Sequence, residues 1–421
     1  SRCHQPPTGV VAMSNQPEDR DRCVVVGAGP VGLVAALALA REGLRVVVLE
    51  AEPRDRVRPG SRAIALMYPT LRRLDKVLPG LGQQVVDAGV LVPGYDAFYG
   101  GRRVFSQHLD PSNKRLSRLG SSLPQATTER IVFAECVAHG VEFRWDCPVT
   151  SLVSSPDGVE ISLGSGEQLT ASYVIGADGA RSVVRKAIGV RMEGVTDETP
   201  FIIVDVDEHP DGSTPRMPGY FHYQSPKIGG RNVMHMPFAT GMRIDLQCLA
   251  TDDAEYLASP EGVREWVSKV VDPWYGEHVR WVSTYRFHQV VADSYTDANH
   301  RVLLAGEAAH LFAPWGGRGL NSGVFDATDA ARAIARASAT RDEAQRRGLI
   351  QRCADDGRRW GLHNRDISSK ALRQMRGTDR VNRVKRRVAS RLAPVVWPAG
   401  AWLANGPLQL PVPRPGSRQF Y

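Results

Sequence analysis

The sequence predicts an α/β protein in which a parallel-sheet unit is joined to a separate β-sheet unit and followed by a helical C-terminal region. Three observations predict it. First, a short apolar run at 23–26 leads into Gly27-Ala28-Gly29-Pro30-Val31-Gly32, an alanine- and leucine-rich helix over 33–41, and a second buried run over 44–49 ending at Glu50. That order is one β-α-β unit. Second, beyond Gly189, short alternating runs at 201–206, 220–223, 232–236 and 242–248 are separated by turn residues and predict an antiparallel sheet of their own. Third, the chain from Arg341 is helical and Arg-rich, then Pro-rich between Pro407 and Pro415.

The remaining elements follow in order. Residues 1–20 are mostly polar or small and are expected to be disordered, with translation starting at Met13. The Arg- and Pro-rich stretch 52–60 reads as a loop, and 68–77 as a helix opened by Pro69 and Thr70. Residues 90–120 break into short β-like runs on the substrate-facing side. A helix is expected over 127–139 and strands over 141–145, 149–153, 159–163 and 173–175. A buried strand at 301–305 precedes a glycine-entered helix over 319–335. The domain organisation expected is therefore 21–190 and 296–340 as two parts of one nucleotide-binding domain, 191–295 as a sheet domain, and 341–421 as a helical region and tail.

Composition excludes several classes. With 42% hydrophobic and 23% charged residues, the chain reads as globular. The most apolar stretch, 388–404, contains Arg391, Pro394 and Pro398, so no membrane span is expected. No secretion signal is expected either. The cysteines are scattered, without a CxxC pair or a metal-ligand cluster, which fits a reducing cytoplasm better than a disulfide framework. The net charge of +8 gathers partly at 376–391, including Arg383, Lys385, Arg386 and Arg387. No aromatic residues interleave there, so nucleic-acid binding is not expected, and the stretch reads as a solvated helix face.

The glycines carry the first chemistry. Gly27 permits the tight turn, Gly29 lets a pyrophosphate approach the backbone, and Gly32 lets helix and strand pack closely, a Rossmann-like arrangement. The helix N-terminus then faces the phosphates. Glu50 follows 18 residues after Gly32 (50 − 32), where a carboxylate accepts hydrogen bonds from ribose hydroxyls and would repel a 2′-phosphate. The motif alone does not separate FAD from NAD.

Two later segments do. Residues 173–185 read Y-V-I-G-A-D-G-A-R-S-V-V-R, and 302–321 read V-L-L-A-G-E-A-A-H-L-F-A-P-W-G-G-R-G-L-N. Both resemble signatures of the flavoprotein aromatic hydroxylases, the family of para-hydroxybenzoate hydroxylase and phenol hydroxylase, and they stand in the expected order. The resemblance implies a Rossmann-like FAD-binding domain with a β-sheet substrate domain. It places Asp178 and Gly179, with Arg181 nearby, beside FAD and a transient NAD(P)H. It puts Glu307 where the family has an Asp on the ribityl chain, and Arg318 where the family often has Gln. Gly317, Gly319, Leu320 and Asn321 would pass along the flavin, with Pro314 lining the oxygenation site. Ser61-Arg62-Ala63 resembles a step whose Arg contacts FAD, and Gln125 resembles a Gln bonded to the cofactor.

The activity implied is FAD-dependent, NAD(P)H- and O2-consuming hydroxylation of an aromatic ring, phenol-like or polycyclic, through a flavin C4a-hydroperoxide. The protein would be a cytoplasmic monomer or homodimer. Arg62, Pro314 and His235 are the catalytic candidates. A base or acceptor near a phenolic hydroxyl would come from His222, Tyr223, His235 or His288, and a substrate carboxylate would pair with Arg243 or Arg231. His310 reads as a residue that orders its loop. An NAD-dependent dehydrogenase leaves the Asp178 and Glu307 segments unexplained. A flavin-dependent halogenase would need a Trp-x-Trp-x-Ile motif that none of the tryptophans forms. A flavoprotein that sequesters an aromatic intermediate without hydroxylating it remains the alternative.

Overall fold

The computed structural model describes residues 22–62, 64–108, 120–197, 199–377 and 379–406. The expectations about residues 1–20, the start at Met13 and the Pro-rich tail lie outside the described residues.

A five-stranded parallel sheet forms one centre. Its order is Val302–Leu304, Tyr173–Gly176, Arg22–Val26, Arg45–Leu49 and Glu142–Arg144. The inner strands are continuous runs of Val, Ile and Leu because both faces are covered. Helices Pro30–Arg41, Gln125–Ala138 and Arg318–Ser338 pack together on one side. Pro30 at the first helical turn leaves no hydrogen bond unmade.

The second centre is a seven-stranded sheet ordered Val279–Tyr285, Phe201–Asp207, Gly241–Gln247, Arg231–Phe238, Gly219–Ser225, Gly94–Tyr99 and Arg102–His108. Period-two alternation gives it two unlike faces. The outer face carries Ile202, Val204, Val233, Met242, Ile244 and Leu246 against Val263, Trp266 and Val267 of helix Pro260–Val270. The inner face carries Phe201, Phe221, Met234, Met236 and Phe238 against Ile64, Ala313 and Trp315. The C-terminal helices Glu343–Arg376, Arg380–Leu392 and Trp397–Asn405 close the same layer.

Two features depart from expectation and one agrees with it. The sheet is not wholly antiparallel: Gly219–Ser225 runs parallel to Gly94–Tyr99. The latter arrives as a preformed hairpin with Arg102–His108, turned by Gly100 and Gly101 at φ of 57° and 86°. The stretch 388–404 is broken between two helices at Pro394, and no helix among the described residues is long and apolar enough to cross a membrane. The basic stretch is not simply a solvated face. Arg386 is buried, donates to the Met375 carbonyl at 3.0 Å and lies 5.2 Å over the Tyr223 ring, whereas several valines of the same helix point outward.

Candidate active site

The glycine turn shows which sides of the backbone are filled. A Cβ on Gly32 would lie 1.9 Å from the Gly27 carbonyl oxygen, and one on Gly27, at φ +101°, would lie 2.5 Å from the Ala177 oxygen. A Cβ on Gly29 would meet no protein atom within 4 Å. The first two glycines thus serve the packing of strand and helix, while Gly29 leaves open space at the N-terminus of Pro30–Arg41, which has no side-chain cap. Free N–H groups facing an open space suit a pyrophosphate.

Glu50 stands beside this turn, buried, and accepts from the N–H groups of Ala28 at 2.7 Å and Glu52 at 3.0 Å. Arg56 and Arg58 approach its carboxylate at 3.8 and 3.9 Å, and Arg56 donates to the Ala28 carbonyl at 2.8 Å. The loop that sequence reading left without a role therefore brings two cations to the carboxylate beside the glycine turn. Glu129 joins them, 3.9 Å from Arg56 and 3.6 Å from Arg58.

The step at Ser61 and Arg62 is clamped from the inner face of the seven-stranded sheet. Asp205 accepts from the Ser61 hydroxyl at 2.7 Å and from the Ser61 N–H. Arg243 donates to the Arg62 carbonyl at 2.7 Å and is held by Asp245 through bonds of 2.7 and 3.2 Å. Burial pushes the Asp205 carboxyl above its ordinary range, against the hydrogen bonds from Ser61 and the charge of Arg243. Arg62 itself has a φ of +53°, in the left-handed region, and its Nε is buried without an acceptor. Gln125 adjoins it: its N–H donates to the Ser61 carbonyl at 3.0 Å and its side chain to Glu129 at 2.9 Å.

The late glycine loop faces the same place. Gly316 and Gly317 have φ of 82° and 58°, and Gly317 precedes helix Arg318–Ser338 and donates to the Pro314 carbonyl at 2.9 Å. Gly319 has open space where a Cβ would be, and Leu320 is half-buried. Asn321 ties this loop to the neighbouring segment. It donates to the carbonyls of Ala65 at 2.9 Å and Gly317 at 2.6 Å, and accepts from the Met67 N–H at 2.9 Å and the Thr70 hydroxyl at 2.5 Å. Its side chain is thus spent on the protein. Trp315 is fully buried between Phe201 and Phe221, at ring separations of 5.5 and 6.4 Å, with its indole N–H unpartnered. Burial lowers the half-buried Arg318 guanidinium, whose Nε also lacks an acceptor.

Two acids behave differently from each other. Asp178 accepts from the Ser182 hydroxyl at 2.5 Å and from the N–H groups of Val183 and Val184 at 2.6 and 3.1 Å, so it caps helix Val183–Ala187. Gly179, at φ +76°, turns the chain there, and Arg181 is exposed. Buried Arg185 then links the turn to the late motif through the carbonyls of Ala180 at 2.9 Å and Ala308 at 3.0 Å. Glu307 points outward on the Gly306–Ala308 turn. His310 bonds Asp326 at 2.7 Å, and Asp326 also accepts from the Gly306 N–H at 3.1 Å, so this pair shapes the turn.

The substrate-side candidates are not brought together. His235 and His222 lie on the outer face of the sheet, away from Pro314, because strand period two sets them opposite Met234, Met236 and Phe221. His235 packs 3.7 Å from the Tyr220 ring and against the Met242 sulfur, and burial lowers it to about 3. Burial, helped by Lys227, lowers His222 to about 4. Tyr223 is on the inner face, but its hydroxyl donates to the Leu403 carbonyl at 2.8 Å. Arg243 serves Arg62 rather than an open pocket, Arg231 is paired with Asp252 at 2.5 Å, and exposed His288 bonds Thr196 of the neighbouring strand in a separate three-stranded sheet. Sequence reading missed Asp205, Asp245 and Trp315. The signal was present: single acids inside apolar strands, I-I-V-D-V-D and M-R-I-D-L-Q, are rarely buried without a partner.

The family described as "FAD binding domain" matches residues 21–352. The chain is 30% identical over 341 residues to the 3-(3-hydroxy-phenyl)propionate/3-hydroxycinnamic acid hydroxylase of Mycobacterium avium, covering 76% of this chain and 56% of that protein. It is also 30% identical over 341 residues to the para-nitrophenol 4-monooxygenase of a Pseudomonas species, covering 75% and 78%. Among solved structures, the p-nitrophenol 4-monooxygenase of Pseudomonas putida superposes with a TM-score of 0.73 at 26% identity, over 91% of this chain and 96% of that one. The chain thus spans little more than half the length of the first relative and over three quarters of the second.

Proposed function

We propose that this chain, which belongs to the FAD binding domain family of flavoprotein aromatic hydroxylases, is a monooxygenase that uses NAD(P)H and O2 to hydroxylate an aromatic small molecule. One observation carries the reading. The step at Ser61 and Arg62, the loop from Pro314 to Gly317 and the apolar inner face of a separate sheet converge on one layer. The open backbone at Gly29 supports a diphosphate site at its far end.

FAD, when bound, supplies the redox chemistry, taking electrons from the nicotinamide and activating O2 for transfer of one oxygen atom to the ring. The chain's own share is positioning and electrostatics. Gly29 and the N-terminus of Pro30–Arg41 would hold the pyrophosphate, and Glu50, with Arg56 and Arg58, the adenosine end. Asp178, Gly179 and Glu307 would border the middle of the cofactor. The N-terminus of Arg318–Ser338, at Gly319, Leu320 and Asn321, would favour negative charge on the flavin edge. Arg62 and Arg318, whose buried Nε atoms are unpaired, would add positive potential to it. Phe201, Phe221, Met234, Phe238 and Trp315 would exclude water from an aromatic guest. Unpaired cysteines at Cys23, Cys136, Cys147, Cys248 and Cys353 support a reducing, cytoplasmic setting.

A second reading has its own observation. None of His222, Tyr223 or His235 offers the inner face a free base, which suits a flavoprotein that binds an aromatic intermediate without hydroxylating it. The deciding experiment is NAD(P)H oxidation by the FAD-loaded protein across a panel of phenols, aromatic acids and polycyclic aromatics, with product mass. Faster oxidation with one compound, and a product heavier by one oxygen, supports the hydroxylase. A basal rate that no aromatic raises, with no oxygenated product, supports the second reading.

A further inference from the structure

Helix Arg380–Leu392 has two unlike sides. One side packs inward through Arg386, Ala389 and Ser390. The other presents Val381, Val384, Val388 and Leu392, which are 60%, 61%, 49% and 43% exposed. Their spacing of three, four and four residues sets them on a single stripe, and Val395 extends it at 84% exposure. Scattered exposed apolar residues need no explanation, but a stripe repeated at every turn does.

The surroundings of the stripe are cationic. Arg380, Arg383, Lys385, Arg387 and Arg391 are exposed on the same helix, which contains no acidic residue. Beside it lies a hollow of about 300 Å³ lined by Lys370, Arg373, Gln374, Asn382, Lys385 and Trp402. Among the described residues none of its three cations forms an ion pair. An apolar stripe rimmed by Lys and Arg is the pattern of a helix lying in the plane of a membrane interface. A second copy of this chain is a poorer occupant, because a twofold axis would set the same cations against one another.

We propose that this face docks on an anionic phospholipid surface, with the valine stripe entering the acyl boundary and a headgroup phosphate seated in the hollow of Lys370, Arg373 and Lys385. The contact is peripheral and uses exposed side chains that take no part in the proposed reaction, so it stands or falls independently of it.

The test is co-sedimentation of the full chain, FAD-loaded, with vesicles of phosphatidylcholine alone or mixed with phosphatidylglycerol. Binding should favour the anionic vesicles by at least ~10-fold and weaken as salt is raised. Val384→Ser with Val388→Ser should reduce binding about 10-fold without changing the melting temperature, since both side chains are exposed. Lys370→Gln with Arg373→Gln and Lys385→Gln should reduce it similarly. Excess inorganic phosphate that protects the hollow from lysine modification yet leaves vesicle binding intact would overturn the headgroup assignment. Equal binding to both vesicle types, wild-type binding by the serine variant, or a concentration-dependent dimer that the serine variant abolishes would overturn the membrane contact.

Discussion

The clamp under Arg62 makes the sharpest energetic prediction. Arg243→Met removes bonds of 2.7 and 3.2 Å to Asp245 and one of 2.7 Å to the Arg62 carbonyl. Asp245 is 1% exposed, so its charge is left with no solvent to turn to. Removing one partner of such a buried pair costs about 3–5 kcal/mol. Asp245→Leu should cost less, about 2–4 kcal/mol, because Asp205 still lies near Arg243. The double variant removes both charges and leaves chiefly the Arg62 carbonyl without its donor, a loss of about 1–2 kcal/mol. Summed singly the two changes come to about 5–9 kcal/mol, so the double variant should be several kcal/mol more stable than additivity requires. Urea unfolding followed by tryptophan fluorescence measures all four proteins. FAD affinity should fall in Arg243→Met and in the double variant alike, since both release Arg62. Additive losses, or wild-type FAD affinity in both, would refute the clamp.

The remaining predictions concern packing, acid and strain. Gly29→Ala should melt like the wild type, because its Cβ meets nothing within 4 Å, yet bind FAD much more weakly; Gly32→Ala should lose about 1–3 kcal/mol or more before FAD is considered. Calorimetry and flavin titration separate the two, and equal behaviour would contradict the assignment of Gly29 to the cofactor side. His235 has a folded value of about 3 against an ordinary 6.5, so its share of stability is complete above pH 6.5 and drains away as pH falls toward 3. At about pH 4.5 that share is down by roughly 3 kcal/mol, and His235→Leu should flatten this acid limb in urea midpoints measured against pH. Arg62→Gly should be more stable than Arg62→Ala by about 1 kcal/mol, because φ of +53° strains alanine and not glycine, while both should lose activity; equal midpoints would mean the left-handed turn is not strained.

The parallel half of the fold was legible because its signals are local. Tyr68–Val77 forms as its Pro and apolar spacing indicate, and the β-α-β unit begins and ends within two or three residues of expectation. The seven-stranded sheet was only half legible. Its strands alternate visibly, but the entry of Gly94–Tyr99 from far upstream depends on a pairing that no local pattern encodes. The substrate-side histidines misled for a related reason. Period two assigns a residue to one of two faces, but which face looks toward the glycine loop is decided by the other sheet's position. His235 and His222 accordingly turn outward, and Asp205 and Arg243, on two paired strands further along the same sheet, turn inward. The sequence reading also missed helices Leu81–Ala88 and Pro260–Val270, whose apolar faces have meaning only against the surfaces they cover.

The position of Arg62 explains why charge is buried in a sheet that is otherwise apolar. A glycine would hold the same backbone without strain, and an apolar floor would cost less than Asp205, Arg243 and Asp245. Neither would serve if a guanidinium must stand at the end of this turn. The side chain demands an L-residue, and an L-residue in a left-handed conformation persists only where its surroundings over-determine it. Asp205 fixes the N–H and hydroxyl of Ser61, and Arg243 fixes the carbonyl of Arg62, so the two charge-assisted contacts bracket the turn from either side. Charge-assisted hydrogen bonds hold direction better than apolar packing does, because each bond fixes an angle as well as a distance. The buried charges are therefore better understood as the means of aiming one arginine than as a source of stability.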